Sequence, residues 1–135
     1  MNLQLNYDEV LTYVKQKYHV EPTIDFVDAS TLRLAYKMNF FVPTISMYLH
    51  FVSVINNTIK LNYDSADFAS ILSLRLFIIY IKNNTNHSQI DIIEENKQVL
   101  IHLDAFTGLR QTLAVVKPVH ITFNKDSVVI DMALV

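Results

Sequence analysis

The stretch that decides the fold lies at residues 31–40 and reads TLRLAYKMNF. Apolar side chains occupy every second position of it, namely Leu32, Leu34, Tyr36, Met38 and Phe40. Successive side chains of a β-strand point to opposite sides, so this period of two predicts a strand with one buried and one wet face.

The alternation resumes after Pro43 and predicts two further strands. One carries Ile45, Met47, Leu49 and Phe51, and the other carries Ile59, Leu61 and Tyr63. The dipeptide Asn56-Asn57 between them predicts a hairpin turn, because Asn tolerates a positive φ. Connections this short make neighbouring strands antiparallel.

The segment Asp67–Lys82 is the most apolar part of the chain, and its period fits either a helix or a strand. Its length, the acidic residue at its start and the basic one at its end favour a helix. Arg75 is the only charge between those ends. A helix that is apolar nearly all round must be buried on most sides, either inside a curling sheet or at a dimer interface.

The remaining predicted elements are, in chain order, a helix at Tyr7–Tyr18, a hairpin of Gln89–Ile93 with Gln98–Asp104, a short helix at Gly108–Val116 and a hairpin of Val119–Phe123 with Val128–Leu134. Asn6 and Glu9 have the spacing of a helix-capping pair. The resulting fold class is α+β. We expect a single domain over residues 1–135, with a strongly curved antiparallel sheet wrapped around a long apolar helix, an N-terminal helix and a short C-terminal helix.

Composition excludes several classes of function. The 135 residues carry a net charge of −2, so no basic surface for nucleic acid is expected. The absence of Cys excludes disulfides, thiolate zinc sites and cysteine nucleophiles. The longest apolar run is far shorter than the roughly 20 residues that span a bilayer. The first six residues lack the basic and apolar regions of a secretion signal, and a cytoplasmic protein is expected.

The order of elements resembles the tubular lipid-binding superfamily and its small bacterial relatives. The likeness is clearest in the C-terminal third, with an alternating strand through Val99 and Leu103, a short helix through Leu109 and Leu113, and the strand pair 119–123 and 128–132. The resemblance implies a curved antiparallel sheet around a long helix, with lipid held between the two.

The candidate ligand-binding residues are apolar or aromatic and come from the predicted sheet and the predicted central helix. They are Tyr36, Phe40, Met47, Phe51, Leu72, Arg75, Leu76 and Ile79. Ligand cavities are mainly apolar with a few polar groups that orient the guest. The competing interpretation is that the aromatic residues are ordinary core. Arg75 would either meet an acidic head group or reach solvent at the edge of the helix.

Catalytic and metal-binding parts are sparse. His102 and Asp104 share one strand face, and His120 lies on a strand that is a possible neighbour, but a wet sheet face explains them more simply. A single Gly cannot build a phosphate-binding loop. We therefore expect no enzyme, no metal and no cofactor.

Two hypotheses remain for function. The first is non-enzymatic binding of a lipid or fatty-acid-like ligand between the curved sheet and the central helix. The second is an interaction module with a packed core, which self-associates as a homodimer and covers an apolar patch on the sheet or on the helix Asp67–Lys82.

Overall fold

The computed structural model describes residues 1–36, 45–66, 71–84 and 88–135. The described part contains three helices, α1 at Tyr7–Tyr18, α2 at Ile71–Asn84 and α3 at Arg110–Leu113. Its nine strands are β1 at Asn2–Asn6, β2 at Thr23–Asp28, β3 at Thr31–Tyr36, β4 at Ile45–Ile55, β5 at Thr58–Ser65, β6 at Ile90–Ile93, β7 at Gln98–His102, β8 at Val116–Phe123 and β9 at Ser127–Leu134. Short 3₁₀ turns link some of these elements.

The strands form two antiparallel sheets. The large sheet has the order β2-β3-β4-β5-β7-β6, and the small sheet has the order β1-β9-β8. The α+β content and the antiparallel pairing that the sequence predicted are confirmed.

One face of the large sheet is apolar along its whole width. Cross-strand partners share a face, and the register pairs Leu32 with Leu49, Leu49 with Tyr63, and Leu61 with Val99. Two core clusters form on this face, and Leu49 and Val99 pack against both.

The small sheet covers the first of these clusters. Ile121 and Phe123 of β8 are buried there against Leu32 and Leu61 of the large sheet, together with Tyr7 at the start of α1. The backbone N–H of Phe123 donates to the carbonyl of Ala29, 2.8 Å away, and ties the small sheet to the β2–β3 turn. We call this the small-sheet cluster.

Helix α2 covers the second cluster. Leu74 and Ile78 are buried against Ile45, Met47 and Tyr63 of the large sheet, with Ile92 of β6 beside them. We call this the helix cluster.

The predicted architecture of a strongly curved sheet wrapped around a long central helix is wrong. The observed α2 begins at Ile71 and has 14 residues, while the expected start at Asp67 lies outside the described residues. One side of α2 lies on the sheet, and Leu76 and Ile79 on its other side are exposed.

The predicted helix bounds and turns agree with the structure more closely than the predicted architecture does. Helix α1 has the predicted bounds, and Asn56 and Asn57 take positive φ values of 51° and 63° in the β4–β5 turn. Asn6 does not cap the backbone of α1; instead its Nδ2 donates to Glu9 Oε1 at 3.2 Å. The predicted helix at Gly108–Val116 shrinks to a 3₁₀ turn followed by the four residues of α3.

Strand β1 was missed by the sequence analysis. The expectations for these residues concern only a secretion signal and, at Asn6, a helix cap. Leu3 and Leu5 nevertheless alternate with Asn2, Gln4 and Asn6. That alternation was the available signal.

Candidate functional site

Helix α2 has a buried side that is fully engaged with the sheet. Ile78 is only 2% exposed and Leu74 is also buried, and both contact the apolar face through β4 and β6. Lys82 near the helix end lies 3.9 Å from Glu94, which anchors the last turn to the β6–β7 connection. This side of α2 is accounted for by folding alone.

The opposite side of α2 is apolar and open. Leu76 is 59% exposed and Ile79 is 42% exposed, and Arg75 beside them is exposed too. Residues three and four apart are neighbours on a helix surface, so these three side chains form one patch, which we call the open face of α2. Exposed apolar patches on a folded protein mark interaction sites when they are contiguous.

The open face contains three of the eight predicted site residues, and the structure places Met47, Phe51 and Tyr36 elsewhere. Met47 is buried in the helix cluster, on the sheet side of α2. Leu72 belongs to α2, but its side chain is outside the described ones, and Phe40 lies outside the described residues altogether.

The remaining two predicted residues lie apart from α2. Phe51 packs against the small-sheet cluster, and its ring meets the edge of His120 with 5.1 Å between ring centroids. Tyr36 lines an open depression of about 510 Å³ together with Lys15, His19, Val20 and Glu21.

That depression has the electrostatics of a surface ion pair. Lys15 Nζ lies 2.8 Å from Glu21 Oε1. The hydrogen bond to Lys15 and its charge lower the pKa of the Glu21 carboxyl, and the same contact raises the pKa of Lys15. Both groups are solvated, so the depression offers a charged rim to a lipid-like guest, beside the side chains of Val20 and Tyr36.

Two tyrosines in the core have shifted ionisation. Burial, followed by the charges of Glu94 and Glu95, raises the pKa of Tyr63 in the helix cluster. Burial, followed by the charge of Asp126, raises the pKa of Tyr7. Tyr7 Oη donates to the carbonyl of Asn124 at 2.6 Å. Because the pKa values of both phenols are raised, Tyr7 and Tyr63 are neutral in the core at neutral pH.

Two of the histidines, His50 and His102, take part in cross-strand contacts. The ring Nδ1 atoms of His50 and His102 each lie 3.0 Å from the hydroxyl of the Thr directly opposite, Thr31 and Thr58 respectively. Among the described residues no group of three or more His, Cys, Asp or Glu side chains is arranged to hold a metal ion.

None of the family models, curated proteins or solved structures that were compared with the chain matches it. The resemblance to the tubular lipid-binding superfamily therefore stays a prediction. In the described part of the chain, no helix combines the length and the apolarity needed to cross a bilayer.

Proposed function

We propose that the protein is a non-catalytic interaction module that self-associates through the open face of α2. The observation that carries this proposal is the exposure of Leu76 and Ile79 on a helix whose other side is buried. Folding the single chain leaves these side chains in water, and a second copy would remove them from it.

Burial of the exposed parts of Leu76 and Ile79 would favour a contact of this kind. Fully burying a Leu or Ile side chain contributes about 1.5–3 kcal/mol, and a two-fold interface buries each residue twice. Arg75 at the margin can lay its aliphatic stem on the apolar patch while its guanidinium stays in water. The net gain is what remains after the entropy lost on association.

Binding of an apolar ligand is the competing proposal, and the placement of its candidate residues supports it less. The sheet side of α2 is filled by Leu74 and Ile78 packed on Met47. A ligand would have to lie on the open face, where Arg75, Leu76 and Ile79 are exposed to water. Native mass spectrometry of freshly purified protein tests this directly, since a co-purifying lipid would adduct to the folded chain.

The test of self-association is the solution mass of a Leu76→Glu, Ile79→Glu variant, measured by light scattering alongside the wild type. Two carboxylates in the patch should lower the mass by a factor of about two, because a charge cannot be buried there without a partner. Gln111→Glu with Thr112→Glu adds the same charge on exposed α3 and should keep the wild-type mass.

Circular dichroism should show the same spectrum for all three proteins, because the substituted side chains are exposed. A Leu76→Glu, Ile79→Glu variant with the wild-type mass would overturn the proposal. A bound lipid that this variant loses, with no change in mass, would move the function to ligand binding.

A further inference from the structure

The two sheets leave four described strands with an unpaired edge, and these edges differ in how they resist pairing. The edge strands are β2 and β6 of the large sheet, and β1 and β8 of the small sheet. Open edges invite strand addition, and proteins obstruct it with charges, prolines, bulges or short length.

Three of the four edges carry such obstacles. Strand β2 has two aspartates and a bulge, and β6 has four residues including an aspartate. Strand β8 contains Lys117 and Pro118 and is bulged next to them. Strand β1, Asn2–Asn6, has no charge and no proline, and its pairing with β9 runs in an unbroken register.

The hydrogen-bond pattern shows which backbone groups of β1 face outward. The N–H of Met132 donates to Met1 O at 2.8 Å, and the N–H of Tyr7 donates to Asp126 O at 3.0 Å, which places the odd-numbered residues of this strand against β9. Bonding alternates along an antiparallel strand. The N–H and C=O groups of Asn2 and Gln4 and the N–H of Asn6 therefore point away from β9, toward the open edge. The C=O of Asn6, the N-cap residue of α1, accepts the first hydrogen bond of that helix.

The sequence of β1 is a palindrome, Asn-Leu-Gln-Leu-Asn. Two copies paired antiparallel about Gln4 place Gln4 opposite Gln4 and Asn2 opposite Asn6 of the second copy. About four hydrogen bonds form, two between the facing Gln4 residues and one from each Asn6 N–H to the C=O of the facing Asn2, because the C=O of Asn6 is used by α1.

The side chains match as well. Leu3 and Leu5 pair with Ile130 and Val128, which pack against the small-sheet cluster, so both leucines lie on the core-facing side of the small sheet. Leu3 is nevertheless 48% exposed at the open edge. Two-fold pairing sets it opposite Leu5 of the second copy. The amide side chains lie on the other face, where Gln4 Nε2 donates to Ser127 Oγ of its own chain at 3.0 Å.

We propose that β1 is a second self-association surface, in which two copies of the chain join their small sheets into one sheet of order β8-β9-β1-β1-β9-β8. The interface is isologous, with its two-fold axis at Gln4. It is separate from the open face of α2 and does not depend on it. If both contacts form, the assembly is larger than a dimer.

Cysteine cross-linking tests the register, because the wild-type chain contains no Cys. Gln4→Cys places one thiol on the two-fold axis, where the paired Cα atoms are about 5.5 Å apart, within reach of a disulfide. We expect a disulfide-linked dimer as its main product under mild oxidation.

Asn2→Cys is the matched control on the same face of the same strand. In the proposed register the Cα atoms at position 2 of the two copies are about 13 Å apart along the strands. This variant should therefore not form a disulfide with itself. Mixing it with Asn6→Cys should give the mixed dimer. No dimer from Gln4→Cys, or equal cross-linking of Gln4→Cys and Asn2→Cys, would overturn the proposal.

The solution mass separates this interface from that of α2. Gln4→Lys sets two ammonium groups opposite each other at the axis, and lysine is a residue that edge strands carry. In the monomer the change removes the hydrogen bond from Gln4 Nε2 to Ser127 Oγ. We expect Gln4→Lys and the Leu76→Glu, Ile79→Glu pair each to lower the mass about twofold, and the combination to give the 15.6 kDa monomer.

Circular dichroism confirms that each protein is folded. A Gln4→Lys protein with the wild-type mass would overturn the role of β1 and leave that of α2 intact. A lower mass for Gln4→Lys, with the wild-type mass for the Leu76→Glu, Ile79→Glu protein, would overturn the role of α2 alone.

Discussion

The small sheet and α2 cover the same apolar face of the large sheet, at different places, and they differ in what they present to solvent. The small sheet buries Ile121 and Phe123 and carries Gln4 and Thr122 on its other face. Helix α2 buries Leu74 and Ile78 but leaves Leu76 and Ile79 in water.

The difference shows which apolar residues folding explains. A strand with a period of two separates a core face from a polar face, so the outer face of the small sheet needs no cover for the fold of one chain. A helix that is apolar nearly all round cannot do this. The open face of α2 is therefore surplus to the fold of one chain, and this surplus is why the proposed function is placed there.

The largest expected effect is in the small-sheet cluster. Phe123→Ala should lower the free energy of unfolding by about 3–5 kcal/mol, because it removes a ring buried between two sheets. Thr122→Ala, on the opposite face of β8, should change it by less than about 1 kcal/mol. Urea unfolding measures both, and equal losses would contradict the assignment of the two faces.

The second prediction compares the two sides of α2. Ile78→Ala should cost about 2–5 kcal/mol of unfolding free energy, because it opens a cavity in the helix cluster. Ile79→Ala should change it by no more than about 0.5 kcal/mol. Both are measured by chemical unfolding at low protein concentration, where subunits are separate. A large loss from Ile79→Ala would mean that the chain itself covers the open face.

The smallest expected effect is on the alkaline side of the stability profile. The folded-state pKa values of Tyr7 and Tyr63 are raised by burial, so the protein binds these protons more tightly when folded. Their contribution to stability is complete below the unfolded pKa of about 10 and is lost as the pH rises through the folded values.

Unfolding measured at a series of alkaline pH values, with tyrosinate absorbance followed in parallel, tests this. Tyr7→Phe should reduce the alkaline loss of stability, whereas Tyr13→Phe, which alters a half-exposed ring, should retain it. An unfolding free energy that is level through this range would contradict the linkage.

Sequence patterns predicted the elements that depend on local chemistry. Helix α1 ended at the predicted Tyr18, and the β4–β5 turn formed at Asn56-Asn57, where both residues adopt positive φ. The row Ile59, Leu61 and Tyr63 is buried as its alternation predicted.

Long-range geometry accounts for what the sequence could not predict. An unbroken alternation would put Val119 in the same inward row as Ile121 and Phe123, but β8 is bulged between Pro118 and His120, and Val119 is 44% exposed. A bulge inserts one residue and shifts the alternation by one position. Pro118 lies at the bulge, but prolines also occur in edge strands that have no bulge, so the residue does not fix the shift.

The candidate site was also predicted only in part. Sequence analysis selected Arg75, Leu76 and Ile79, and they do form one patch. It also grouped them with Met47, which lies beneath the helix, and with Phe51, which belongs to the other cluster. Periodicity shows which face of a helix or strand carries apolar side chains, but it does not show which other element will pack on that face.

By itself, the sequence determined the strands with one apolar face, the hairpin turns and a helix apolar nearly all round, because these follow from the spacing of side chains over a few residues. Only the tertiary structure decided that the small sheet would take part of the apolar face of the large sheet and leave one side of α2 open. That division depends on contacts between residues far apart in the chain. The small sheet and α2 both present apolar side chains to the large sheet, and close packing of their shapes decides where each of them lies.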